Sequence, residues 1–293
     1  MRLSGRLPPG EMYPAGVPDV RSRLVTLASN LSVRVVESGN EGAPPVLLVP
    51  GWACNAWIYR ETLPALSAAG FRAIVVELKG HGLSDKPVDK AEYTLESMRD
   101  HLIDMLNALA LPVCGLVGHS MGASIAANAA AVAPDRVSGV ALVAPVGFAG
   151  VPGMSIFRAL TPDLLVPLLP KLASKTVVRI MLDLVYGDIA SPTARDVEEL
   201  RAPSQFPEFT TALRNLLHSF NWDTAFPSLA VPRMVIAGTR DHLSPASAAA
   251  VYSGGIAPVI VEGAGHVLFA EAPAIVNEAL MQFFRSPASY GYI

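Results

Sequence analysis

"VCGLVGHSMGASIAANAA", residues 113–130, joins an apolar run, a serine set between glycines, and an alanine-rich stretch. The run at 113–118 reads as a buried strand and the alanine-rich stretch as a helix. Between them stands Gly118-His119-Ser120-Met121-Gly122, a G-x-S-x-G pattern. At a strand-to-helix junction this spacing makes a sharp turn that points a hydroxyl out of the sheet. Gly118 and Gly122 let strand and helix approach more closely than side chains would allow. Ser120 is thus a candidate nucleophile, and a serine hydroxyl needs a positioned base and an orienting acid.

The segments around the pattern alternate. Residues 23–27 and 31–38 read as an antiparallel pair turning near Ser29 and Asn30. The apolar runs 45–50, 71–78, 113–118, 138–145, 232–238 and 257–263 read as further strands, with helices between them. Thr94 is placed to cap a helix in which Met98, Leu102, Met105, Leu106 and Leu109 recur at helical spacing. Strands alternating with helices predict an α/β fold with a mostly parallel sheet. From 146 to 225 no apolar strand appears, and short helical patterns broken by proline replace it. This stretch reads as a helical insertion between two strands. The first 22 residues, rich in Pro and Gly, read as an exposed N-terminal arm.

Two further residues complete a catalytic set. "VIAGTRDHLSP" places Asp241 just past one late strand, and "VEGAGHVLFAEAP" places His266 just past the last. The order Ser120, Asp241, His266 follows the Ser…Asp…His order of a strand–elbow–helix hydrolase. Each lies at the C-terminal end of a strand, where open α/β sheets carry their sites. His119 reads as packing beside the elbow, His81 as bracing its loop, and His101 as a solvated or structural residue on a helix face.

Composition bounds the function. The chain has 293 residues, half of them hydrophobic, and a net charge of −3. A large core is available, and neither nucleic acid nor an acidic membrane is favoured electrostatically. The longest uncharged stretch, 137–157, contains prolines and glycines and reads in its first half as a buried strand rather than a span. With no signal peptide or transmembrane segment recognised, the expected location is cytoplasmic. The two cysteines, Cys54 and Cys114, suit a reducing compartment. No clustered ligand set or phosphate loop suggests a metal or cofactor. No oligomeric state is specified.

The chain resembles the α/β-hydrolases from about Leu24 to Phe284. Four motifs carry the resemblance in order: "VPGW" at 49–52, "GHGLSD" at 80–85, "GHSMG" at 118–122, and "GTRDHLSP" with "GAGH" at 238–245 and 263–266. The resemblance implies an eight-stranded, mostly parallel sheet flanked by helices, with a helical cap inserted after the sixth strand. The expected organisation is an arm at 1–22, a core at 23–145 and 226–293, and a cap at 146–225. It also implies an oxyanion hole made by the backbone N–H groups of Trp52 and Met121, although many relatives read His-Gly where this chain has Pro50-Gly51. Relatives that open epoxides or displace halide carry an aspartate at the elbow, where this chain has Ser120. The resemblance therefore points to acyl transfer on carboxylic esters with a small to medium apolar acyl or alcohol group, without a cofactor. The alternatives are hydrolysis of a carbon–carbon bond in a vinylogous diketone, with Arg158, Arg179 or Arg214 receiving a carboxylate, and a ligand-binding receptor with slow turnover. Phe157, Arg179 and His218 are candidate substrate contacts in the cap. Its apolar residues from Ile156 to Leu182, Leu169 included, are expected to divide between packing on the core and roofing the cleft.

Overall fold

The structure is a computed structural model and describes residues 5–148, 150–168 and 173–286. Eight strands form one sheet: β1 Val20–Thr26, β2 Ser32–Ser38, β3 Pro45–Val49, β4 Arg72–Val76, β5 Cys114–His119, β6 Val137–Val143, β7 Arg233–Gly238 and β8 Val259–Val261. Their spatial order is β1-β2-β4-β3-β5-β6-β7-β8. β2 is antiparallel to β1 and β4, and every other neighbouring pair is parallel.

The inner strands β3 to β7 carry apolar runs because both faces are covered, whereas β1 at the edge is mostly exposed. In β3, Val46 and Leu48 point to one side, Leu47 and Val49 to the other. One side packs under α2 (Leu95–Ala108), α3 (Met121–Val132) and α8 (Ala246–Tyr252). The other packs under α1 (Thr62–Ala68), α9 (Leu268–Glu271) and α10 (Pro273–Arg285). Thr94 caps α2 by accepting from the Ser97 amide, and the five apolar residues read at helical spacing are buried.

The β6–β7 connection carries only helices among the described residues: α4 Met154–Ala159, α5 Lys175–Val185, α6 Ala194–Arg201 and α7 Pro207–Ser219, with short 3₁₀ turns between them. Leu169 lies outside the described residues.

Two expectations are corrected. Among its described residues, the N-terminal segment is exposed only in part. Met12 and Tyr13 are buried, the Tyr13 amide donates to Glu199 on α6, and the Tyr13 carbonyl accepts from Arg34; β1 begins at Val20, inside that segment. The apolar residues of the insertion do not divide evenly between core and roof. Leu182 is buried, whereas Ile156, Phe157, Leu160, Leu164, Val177, Ile180 and Met181 are exposed. α6 and α7 make the buried contacts instead, through Val197, Phe209, Ala212, Leu216 and Leu217. Among the described residues, no helix is long and apolar enough to cross a membrane.

Candidate active site

β5 ends at His119, and Ser120 turns the chain into α3 with φ 54° and ψ −123°. A non-glycine residue held at positive φ at a strand–helix junction is a strained turn, kept there by its surroundings. The flanking glycines are required by contact. A side chain at Gly118 would meet the Ala123 backbone, and one at Gly122 would meet the Val49 carbonyl. The facing loop is equally tight: a Cβ at Gly51 would lie 2.8 Å from the Ser120 Cβ.

The three sequence candidates come together. His266 Nε2 is 2.8 Å from Ser120 Oγ, and His266 Nδ1 is 2.7 Å from Asp241 Oδ2. A carboxylate only accepts, so Nδ1 carries the proton and Nε2 is left to accept from the serine hydroxyl. Asp241 is itself fixed by its second oxygen, which accepts from the Leu243 and Ser244 amides at 2.8 and 2.9 Å. Burial raises its carboxyl, but the neighbouring His266, their hydrogen bond and the two amides outweigh it, so Asp241 titrates below the ordinary range. All three side chains are buried, with Ser120 8% exposed.

The loop after β3 faces this set. Among the described residues, neither the Trp52 nor the Met121 amide donates to a backbone acceptor. Ala53, next to Trp52, sits at φ 62°. The Trp52 indole donates to the Leu213 carbonyl of α7 at 2.9 Å, which ties this loop to the insertion.

The other histidines are structural. His119 Nε2 donates to the His266 carbonyl at 2.9 Å, and its ring lies 5.2 Å from that of His266. His81 Nδ1 lies 3.3 Å from the Lys79 carbonyl, which braces the loop as read. His101 is buried rather than solvated and accepts from the Lys79 amide at 3.1 Å.

The proposed cationic contacts of the insertion are bonded within the insertion itself. Arg179 is exposed and pairs with Asp183 one turn along α5. Arg158 donates to the Leu217 carbonyl, and Arg214 donates to the Thr161 carbonyl and forms an ion pair with Asp163. His218 bonds Thr161 and titrates below its ordinary value, first through burial and then through Arg214. Phe157 remains an exposed apolar side chain. Cys54 and Cys114 are free thiols, both pushed up to about 12 by burial. Among the described residues, no His, Cys, Asp and Glu cluster could hold a metal.

Sequence reasoning missed Glu271. Its carboxylate lies one helical turn beyond His266 and accepts three backbone N–H groups. No motif signals it, because one donor comes from Gly187, far away in the chain.

Comparison with known proteins agrees with this architecture. A family model described as the alpha/beta hydrolase fold matches residues 44–273. Epoxide hydrolase A of Mycobacterium tuberculosis is 28% identical over 305 aligned residues, which cover 87% of this chain and 94% of that protein. The crystal structure of epoxide hydrolase A from Mycobacterium thermoresistibile matches with a TM-score of 0.74 at 25% identity, covering 91% of this chain and 98% of its own. A meta-cleavage product hydrolase from Pseudomonas fluorescens matches with a TM-score of 0.72 at 22% identity, covering 89% of this chain and 97% of its own.

Proposed function

The chain belongs to the alpha/beta hydrolase fold family, and we propose that it is a serine hydrolase that cleaves carboxylic esters through an acyl-enzyme. The observation that carries this reading is His266, bonded at Nδ1 to Asp241 and at Nε2 to Ser120. His266 takes the Ser120 proton as Oγ attacks the ester carbonyl carbon. The resulting oxyanion is held by the Trp52 and Met121 N–H groups; such a donor typically supplies about 3–4 kcal/mol to the transition state. As the C–O bond breaks, His266 passes the proton to the leaving alcohol. Water then attacks the acyl-enzyme with His266 as base, which releases the acid and restores Ser120. Asp241 stays ionised throughout and holds the imidazole tautomer.

The relatives named as epoxide hydrolases share the fold, but the chemistry at position 120 separates this chain from an epoxide reaction. A carboxylate that opens an epoxide forms an ester that water can cleave. Ser120 would form an ether, and turnover would stop there. The diketone reading needs a cation for the substrate carboxylate, and Arg158, Arg179 and Arg214 are each engaged elsewhere. The exposed apolar side chains of α4 and α5 support an apolar acyl or alcohol group, and we take 146–225 as the cap that selects it.

The test is a substrate panel on purified protein: p-nitrophenyl esters, a vinylogous diketone acid and an aryl epoxide, each with wild type and Ser120→Ala. Ester hydrolysis is expected to fall more than a thousandfold in Ser120→Ala, with a circular dichroism spectrum like wild type. Fast cleavage of the diketone or the epoxide with poor ester turnover would overturn the reading. Tight ligand retention without turnover would assign the chain to the binding class instead.

A further inference from the structure

We propose that Glu271 is a positioning residue: its carboxylate binds the backbone on both sides of His266 together with the end of cap helix α5, and so sets the imidazole against Ser120. The inference rests on the reading of His266 as the base for Ser120.

Glu271 Oε1 accepts from the Val267 amide at 3.0 Å. Oε2 accepts from the Gly265 amide at 2.9 Å and from the Gly187 amide at 2.7 Å. The amides before and after His266 are therefore held by one buried side chain. The third donor follows α5, two residues past its last helical residue, Val185. The same chain segment is also laced directly to the histidine loop. The His266 amide donates to the Val185 carbonyl at 2.7 Å, and the Asp188 amide donates to the Gly263 carbonyl at 2.7 Å. The two backbones touch because both carry glycine: a side chain at Gly187 would meet Gly263 and Gly265, and one at Gly265 would meet Gly187.

This arrangement asks for a carboxylate. Three N–H groups converge on two oxygens, and both must accept. A glutamine would present its own N–H₂ to at least one of these amides, donor facing donor, so the loop would shift. Aspartate keeps both acceptors but is one methylene too short to reach all three. A displacement of His266 by a fraction of an ångström acts on the transfer of the Ser120 proton, while the apolar cap surface that would hold the substrate is untouched. The effect belongs in kcat, with KM unchanged.

Full-length wild type, Glu271→Gln and Glu271→Asp are compared at 25 °C. The measurements are p-nitrophenyl butyrate kinetics and the rate of Ser120 labelling by a fluorophosphonate, both per folded molecule as judged by circular dichroism. In Glu271→Gln, kcat and the labelling rate are expected to fall about ten- to a hundredfold, as small misplacements of catalytic groups do, with KM within about twofold of wild type. Glu271→Asp should lose less. A stabilising role alone would lower the melting temperature and leave the rate per folded molecule at the wild-type value. Either variant, folded and labelled as fast as wild type, overturns the proposal; the aspartate keeps the test open if glutamine prevents folding. A wild type that fluorophosphonate does not label would instead sink the serine-nucleophile reading, and the Glu271 role with it.

Discussion

Acid should begin to destabilise this protein above the range in which its carboxylates protonate, because three histidines are buried in the neutral form. Burial pushes His81 down to about 4 and His101 and His119 down to about 3. The Lys79 ammonium adds to this at His101. In the unfolded chain a histidine titrates near ~6.5. Below that pH the unfolded state therefore binds protons that the native state refuses, and stability falls as pH falls. The full stabilising contribution is present above about 6.5 and is lost progressively between about 6.5 and 4. Three such groups give a slope approaching about 4 kcal/mol per pH unit, and a cumulative loss of about 4 kcal/mol by pH ~5.5. That is a large share of the roughly 5–15 kcal/mol that holds a domain folded. Glu37, Asp196 and Asp241, held below the ordinary carboxylate range by their partners, contribute a separate loss that begins only near pH ~4. The assay is urea unfolding followed by circular dichroism at several pH values from 7.5 to 5.5. His101→Gln isolates one third of the effect, since a glutamine oxygen can replace the His101 Nε2 that accepts from the Lys79 amide without gaining a proton. It should cut the loss between pH 7.5 and 5.5 by about 1.4 kcal/mol. A wild-type stability that stays level between pH 7.5 and 5.5, or a His101→Gln slope equal to wild type, would refute the reasoning.

Three further outcomes follow from the site. Asp241→Asn should lower ester kcat by about four orders of magnitude, because the amide favours the wrong imidazole tautomer; near-normal kinetics would mean that another carboxylate serves. Gly51→Ala puts a methyl 2.8 Å from the Ser120 Cβ, so it should cost about 1–3 kcal/mol of stability in urea titrations and most of the ester activity; a variant with wild-type values would show that the loop yields freely. On p-nitrophenyl esters, kcat/KM should rise from acetate to hexanoate by up to roughly fourfold per methylene, given about 0.8 kcal/mol for each one buried; a preference for acetate over all longer chains would refute an apolar cap surface.

The sheet and the triad were legible because their signals are local. A strand covered on both faces is a short apolar run, and the inner strands β3 to β7 are such runs. Ser120 is marked by its two glycines, and Asp241 and His266 by their places just after strands. What escaped depends on contacts between distant parts of the chain. Residues 1–22 look like an arm by composition, yet Tyr13 is buried because Glu199 and Arg34 bind its backbone. His101 sits on a helix face that the sequence cannot orient; it points inward to accept the Lys79 amide. The apolar residues of α4 and α5 look like core by hydropathy alone, but the core is closed by α6 and α7 beneath them, and they are left exposed.

The machinery has two sources of position. Ser120 follows β5 directly and Asp241 lies in the turn after β7, two strands separated in the sheet only by β6, and the Leu243 and Ser244 amides of that turn fix Asp241. His266 and Trp52 stand on loops that the sheet alone does not fix. Trp52 donates to Leu213 of α7, Asn55 in the same loop donates to the Glu199 carbonyl of α6, and Trp57 donates to Asp196 of α6. On the other side, the His266 amide donates to the Val185 carbonyl of α5. The insertion is thus bonded both to the loop that carries Trp52, the proposed oxyanion donor, and to the loop that carries His266, the proposed base. At about 1 kcal/mol for each bond, and more where a buried group would be left unpaired, lifting the whole insertion away would cost several kcal/mol. It would also release both loops at once. Docking the helical insertion on the sheet therefore holds both loops, and under the proposed function the alignment of the catalytic groups and the covering of substrate would depend on the same contacts.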